Sequence, residues 1–249
     1  MTIPDPVDHS SCVPHVVFDL DGTLCPQTLG VALMRLLARR GICAPEPVAH
    51  LEAFLADLPL HEPRTPEQDT HIYRLFCESL VGVSVSAVRR TAADVWATSR
   101  DGLFPYVRPL IGELKERGYR VALISGSPHE VVEEVASDLE VNTCQGAILE
   151  ADGSTYTGRS TLLPGLPGGK TRVLRGFMRT CCMQKSVAIG DSTRDLELLS
   201  RVGRAVAFEP DTPLQRAALR GSWPVVDRHT CGQTLLTLLP PLHPAGHGP

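Results

Sequence analysis

Phe18-Asp19-Leu20-Asp21-Gly22-Thr23-Leu24 follows a short apolar run, His15-Val16-Val17, and its reading decides the fold. Alternate residues of a strand share a face, so Asp19 and Asp21 would do so if the strand continued. Gly22 instead permits a sharp turn straight after them. Alone, the stretch is also a polar turn of the kind that closes many buried strands. Three later segments shift the balance. Ile124-Ser125-Gly126-Ser127 ends a second apolar run and places a hydroxyl and a flexible glycine before a helix, where hydroxyl and backbone N–H groups serve phosphate oxygens. Gly168-Gly169-Lys170-Thr171 puts an ammonium at a helix start; it lacks the preceding strand of a Walker loop. Ile189-Gly190-Asp191-Ser192-Thr193-Arg194-Asp195 again follows an apolar run and carries two more carboxylates.

If these strand ends converge, Asp19, Asp21, Asp191 and Asp195 share one crevice. Adjacent carboxylates repel, and some protonate unless cations compensate. Lys170 supplies one positive charge. An oxygen-rich site without thiols suits Mg²⁺, which takes a few carboxylates, waters and substrate phosphate.

Outward from these segments, strands and helices alternate. Tyr119–Ile124, Ser186–Ile189, Ala205–Phe208 and Val225-Val226 read as strands. Leu29, Leu33, Leu36 and Leu37 recur at helical spacing up to Gly41, and Leu110, Ile111 and Leu114 mark a helix closed by Gly118. Ser127-Pro128-His129-Glu130 predicts a capping box for a helix whose apolar face is Val131, Val132, Val135 and Leu139. Further helices are expected from about Lys170, through Leu196 and Leu199, and from a cap at Thr212-Pro213-Leu214-Gln215. Residues 145–159 read as a β-hairpin turning at Asp152-Gly153. Such alternation implies parallel βαβ units. Residues 26–104 break it with helical segments at about 28–40, 47–58, 66–81 and 84–99, and are expected to form a cap over the carboxyl edge of the sheet, where open α/β sheets bind ligands.

Composition sets the outer limits. The 249 residues suit one α/β domain with an insert, and 43% hydrophobic with 21% charged residues is ordinary for a globular chain. A formal charge of −4 argues against a nucleic-acid-binding face. No apolar run reaches the roughly 20 residues of a membrane helix, and residues 1–14 have no signal-peptide pattern. None of the eight cysteines forms a CxxC pair or zinc-ligand spacing, so they are expected to be reduced thiols in the cytoplasm. Cys25 stands close enough to the first motif to raise a thiol nucleophile as an alternative. Residues 1–14 and 240–249, the latter carrying His243 and His247, are expected to be disordered tails.

In order and context the four segments resemble the four motifs of the haloacid dehalogenase superfamily, over about Val16 to Val226. Ser125-Gly126-Ser127-Pro128-His129-Glu130, the hairpin with Asp152-Gly153-Ser154-Thr155-Tyr156-Thr157-Gly158, Glu209-Pro210-Asp211 and Trp223-Pro224 are similar to its phosphoserine-phosphatase-like branch. The resemblance implies a Rossmann-like α/β fold: a parallel sheet flanked by helices, with an inserted helical cap. The α/β phosphatase core would be residues 15–25 and 105–239, and the cap 26–104. It implies a phosphoric monoester hydrolase in which Asp19 is nucleophile, forming an aspartyl-phosphate, and Asp21 is general acid and base. Mg²⁺ would be held by Asp19, the Asp21 backbone carbonyl and Asp191. Ser125, Gly126 and Lys170 would bind the transferring phosphoryl group, and Asp195 would orient Lys170 or a metal-bound water.

The implied substrate is a small phosphorylated metabolite, with no nucleic-acid or membrane partner, and the protein would be a monomer or homodimer. Alternatives are a phosphoserine phosphatase proper, a phosphotransferase or mutase sharing the nucleophile, and a non-catalytic regulatory protein. A dehalogenase is disfavoured by Asp21, because halide leaves without a proton. True phosphoserine phosphatases carry a glutamate nine residues after the nucleophile, to meet the substrate ammonium; that position here is Thr28, with Glu46 and Glu52 as conceivable substitutes. In the cap, His61, Arg64, His71, Tyr73, Arg74, Arg89 and Arg90 are candidates to face the substrate.

Overall fold

The computed structural model describes residues 13–59, 62–177 and 182–242. The central strand β1 is His15–Phe18, buried along its whole length. Its alternation serves two cores at once: Val16 and Phe18 pack on one face, Val17 on the other. A strand covered on both sides needs an apolar run rather than alternating polarity.

After β1 come four helices, α1 (Leu29–Arg39), α2 (Pro45–Ala56), α3 (Pro66–Ser79) and α4 (Val85–Ser99). In α1, Leu29, Leu33 and Leu37 fall one helical turn apart and are buried together with Met34. In α3, Thr65 Oγ1 accepts from Gln68 N at 3.3 Å while Gln68 Oε1 accepts from Thr65 N at 2.7 Å, a capping box completed by Pro66 in the first turn. These helices start and stop within three residues of the sequence-based bounds.

The chain then alternates: α5 (Val107–Glu116), β2 (Arg120–Pro128), α6 (His129–Asp138), β3 (Thr143–Asp152), β4 (Thr155–Leu162), α7 (Gly169–Phe177), β5 (Val187–Gly190), α8 (Leu196–Leu199), β6 (Arg204–Phe208), α9 (Thr212–Gly221), β7 (Val225–Val226) and α10 (Cys231–Leu238). The seven strands lie in the order β4-β3-β2-β1-β5-β6-β7. All pairings are parallel except β3 with β4, the hairpin at the edge. The chain goes from β1 to its neighbour β2 on one side and later returns to β5 on the other, so β1 is the topological switch point where a crevice opens at the carboxyl ends. Register aligns those ends, with Phe18 opposite Leu123 on β2 and Ile189 on β5.

Two expected caps are corrected. Ser127 and Pro128 belong to the extended end of β2, and α6 starts at His129 with no side-chain cap. The hydroxyl of Ser127 donates instead to the carboxylate of Asp21, a stronger acceptor than any neutral group, and Glu130 accepts from the Tyr156 hydroxyl at 2.5 Å. The cap of α9 is Asp211, one residue before Thr212, accepting from Leu214 N at 2.9 Å. Parts of the expected tails are fixed: Pro14 O accepts from Arg120 N, and Leu242 N donates to Arg117 O at 2.8 Å. Residues 1–12 and 243–249, with His243 and His247, lie outside the described residues.

Candidate active site

Asp19 is the first residue beyond β1, tied to the sheet by its N–H to Ile189 O at 2.9 Å. It is buried, and its Oδ1 accepts from Lys170 Nζ at 2.5 Å. Lys170 enters from the first turn of α7, is itself buried, and also donates to Asp195 Oδ1. Asp195 is held in turn by Ser192, whose N–H and hydroxyl donate to its other oxygen at 3.1 and 3.2 Å.

Three residues beyond Asp19, the backbone turns. Gly22 has φ of +91°, and a Cβ there would stand 2.4 Å from Asp191 Oδ2, so both conformation and space require glycine. The turn swings Asp21 towards the end of β2. Its Oδ1 accepts from Leu29 N, the first residue of α1, at 2.7 Å; its Oδ2 accepts from the hydroxyls of Ser125 and Ser127 at 2.8 and 2.7 Å. Three donors thus fix this carboxylate. Asp191, just past β5, accepts from the Thr23 hydroxyl at 3.2 Å, and its carbonyl accepts from Asp211 N at 3.0 Å.

Asp19, Asp191 and Asp195 each present a carboxylate oxygen within 4.8 Å of the others. Burial pushes the Asp19 carboxyl well above the usual range; Lys170 opposes the shift and its carboxylate neighbours add to it. Asp191 is pushed up to about 7, by burial first and then by Asp195. Burial alone would lower the Lys170 ammonium, but Asp19 and Asp195 outweigh it and keep the lysine charged. A buried carboxylate cluster whose charge one lysine does not satisfy, offering oxygen donors only, fits a hard divalent cation. A metal therefore suits the Asp19, Asp191 and Asp195 side of the crevice.

The sequence profile of the haloacid dehalogenase-like hydrolases matches residues 16–200. The chain belongs to that family. Its relatives include a phosphoserine phosphatase of Streptomyces coelicolor, 33% identical over 141 residues that take in 56% of this chain and 33% of that protein. The chain spans 33% to 57% of the length of such curated relatives. Among solved structures, a protein of unknown function from Bordetella pertussis Tohama I superposes with a TM-score of 0.71 at 20% identity, covering 87% of this chain and 99% of that one. A phospho-aspartyl intermediate analogue of phosphoserine phosphatase gives 0.59 at 17% identity, covering 87% and 94%. At such identities the likeness concerns the fold, a mostly parallel sheet flanked by helices.

In this haloacid dehalogenase-like hydrolase the carboxylates open into a cavity of about 210 Å³ roofed by α1, α2 and α3. Val31, Met34, Leu51, Ile72 and Phe76 make an apolar wall, and Thr28, the residue before α1, lies at its rim. Of the seven cap candidates, Arg64 and Tyr73 line this cavity. Arg64 is committed to Asp69, Nε to Oδ1 at 2.8 Å. His71 packs on Phe54 with ring centroids 4.6 Å apart, Arg74 pairs with Glu78, Arg89 and Arg90 are exposed, and His61 lies outside the described residues. Glu46 is exposed and Glu52 pairs with Arg35, so neither replaces a glutamate at Thr28. Burial, with Asp21 nearby, pushes the Cys25 thiol up to about 12, which leaves no thiolate for nucleophilic attack.

Sequence reasoning gave Ser127 only a helix-cap role and gave none to Thr23, Asp69 or Arg194. Ser127 carried a legible signal: it shares a strand face with Ser125, two residues earlier. Arg194 stood inside the fourth motif, yet its partner Asp69, 3.5 Å away, is 125 positions distant in the chain.

Proposed function

We propose that this protein is a Mg²⁺-dependent phosphomonoester hydrolase working through an aspartyl-phosphate on Asp19. The observation that carries the reading is the disposition of the first two aspartates. Asp19 is held by Lys170 at the end of the central strand, while Asp21, two residues on, is clamped by Ser125, Ser127 and Leu29 N. An Asp19 oxygen attacks phosphorus and the bond to the leaving oxygen breaks, with Asp21 giving that oxygen its proton. Asp21 then takes a proton from water as the water oxygen attacks phosphorus and the Asp19–phosphorus bond breaks. Lys170 and the Gly126 backbone face the charge that spreads over the phosphoryl oxygens, while the Ser125 hydroxyl, expected to join them, donates to Asp21 in this structure. Asp19, the Asp21 carbonyl and Asp191 would hold the metal, which would supply positive charge to offset that of the phosphoryl oxygens. Asp195 acts by orienting Lys170, the role its hydrogen bonds support.

Residues 15–25 and 105–239 serve as the catalytic core and 26–104 as its cap. The free thiols of Cys25, Cys43, Cys77, Cys144, Cys182 and Cys231 accord with a cytoplasmic setting. The substrate is a small phosphomonoester without an ammonium beside Thr28, because a neutral hydroxyl there does not pair with a cation. A panel of sugar, polyol and amino-alcohol phosphates, with phosphate release measured, tests the reading: turnover is expected with Mg²⁺, loss on chelation and recovery on its return. Full activity in chelated buffer, or phosphoserine best by tenfold or more, would overturn the corresponding part.

A further inference from the structure

Tyr73 reaches from the roof into the floor of the site. Its hydroxyl donates to Gly126 O at 2.8 Å. The core is shaped to receive it. A Cβ on Gly126 would come 2.8 Å from that hydroxyl oxygen, and one on Gly165 would come within 2.3 Å, so glycine at both positions leaves the space it fills. Burial raises the phenol well above its ordinary range and keeps it a donor.

The accepting carbonyl belongs to the peptide that links Gly126 to Ser127. The N–H of the same peptide donates to Ser125 Oγ at 2.9 Å. Ser125 Oγ donates onward to Asp21 Oδ2, as does Ser127 Oγ, and Ser127 Oγ also accepts from Gly30 N of α1 at 2.9 Å. One peptide plane therefore carries both hydroxyls that grip Asp21. Ser125 holds one edge of it, and Tyr73 of α3 holds the other. The same face of α3 meets the core a second time one turn earlier, where Asp69 approaches Arg194 at 3.5 Å, so Tyr73 is seated as part of a two-point contact.

We propose that Tyr73 is a positioning residue: seated between Gly126 and Gly165, it locks the Gly126–Ser127 peptide and thereby aims Asp21 at the leaving oxygen when the cap is closed. This rests on the assignment of Asp21 as general acid. Without the hydroxyl the peptide is free to rock, and the two serines no longer hold Asp21 in a single orientation. The cost falls on leaving groups that need a proton and spares those that do not.

Phenyl phosphate and 4-nitrophenyl phosphate are close in shape but differ in the basicity of the departing oxygen, and kcat/KM for each reports steps up to its departure. For Tyr73→Phe, kcat/KM with phenyl phosphate is expected to fall about tenfold or more, and with 4-nitrophenyl phosphate by no more than about threefold, part of the usual contribution of a general acid. Equal losses on the two esters, as from direct contact with phosphate or from general damage, would overturn the proposal; so would no loss on either. Gly165→Ala, whose methyl would displace the hydroxyl, should give the same selective pattern and serves if the first variant folds poorly by circular dichroism. Failure of the wild-type protein to hydrolyse either ester would instead count against the phosphatase reading itself.

Discussion

The floor and the roof of the cavity treat charge in opposite ways. On the floor, Asp19, Asp21, Asp191, Asp195 and Lys170 are each held by hydrogen bonds from other parts of the sheet edge, and the carboxylates still outnumber the cation. In the roof, Arg64 joins Arg194 of the core on the single buried carboxylate of Asp69, and the rest of the roof surface facing the cavity is largely apolar. The floor has room in its charge balance for an added cation, as the proposed reaction requires. The roof has already satisfied its own charges, so it can be altered with less disturbance. The contrast predicts where substitutions hurt, and by how much.

The largest effect is expected on the floor. Asp19→Asn should leave the circular dichroism spectrum unchanged and lower turnover by at least about a thousandfold, since it removes the proposed nucleophile. A variant retaining more than about a hundredth of the wild-type rate would remove Asp19 from the chemistry and with it the distinction between the two surfaces.

Lys170→Met comes next. It strips the cation from between Asp19 and Asp195, and breaking a buried pair by removing one partner typically costs about 3–5 kcal/mol. Denaturant unfolding in chelated buffer should show that loss, and Mg²⁺ should restore part of it by binding the folded state alone. A loss below about 1 kcal/mol would mean that the floor carboxylates are largely protonated and need no cation.

The roof gives a smaller, selective change. Thr28→Glu places a carboxylate at the cavity rim, and one charge-assisted hydrogen bond is worth about 1.5–3 kcal/mol. The ratio of kcat/KM for phosphoserine to that for a polyol phosphate should rise about tenfold or more. An unchanged ratio would show that the rim does not read the leaving group. Smallest of all, Arg35→Ala breaks an ion pair with Glu52 in which both side chains are about half exposed, and thermal unfolding should register no more than about 0.5 kcal/mol.

The same contrast explains what the sequence disclosed. Every floor residue named from sequence lies within a few positions of a strand end or helix start, so local signals, an apolar run and then a carboxylate or hydroxyl, sufficed to bring Asp19, Ser125, Lys170 and Asp191 together. The helices of the roof were equally legible, because Leu29, Leu33 and Leu37 repeat at one turn. Which roof residues face inward was not. That depends on how α2 and α3 pack over the sheet, and on partners such as Asp69 and Arg194 whose pairing no local pattern encodes. The α6 cap failed for a related reason: Ser127 has a local use as a cap and a distant one as a donor to Asp21, and the buried carboxylate is the stronger competitor.

The chain leaves the sheet after Leu24 and returns at Phe104, and the two crossing points touch: Phe104 N donates to Leu24 O at 2.9 Å, while the Tyr106 hydroxyl donates to Thr23 O. Everything between them enters and leaves at this one doorway, and is tied to the sheet again where Gly82 N and Val85 N donate to Tyr156 O and Ser154 O of the edge hairpin. Because the entropy of closing a loop changes only slowly with its length, segments of quite different size and sequence fit the same doorway without retuning the strands below. In evolutionary terms the roof is an exchangeable cassette. A lineage can trade one set of cavity walls for another provided the contacts that reach the floor, such as those of Leu29 N and Tyr73, are replaced.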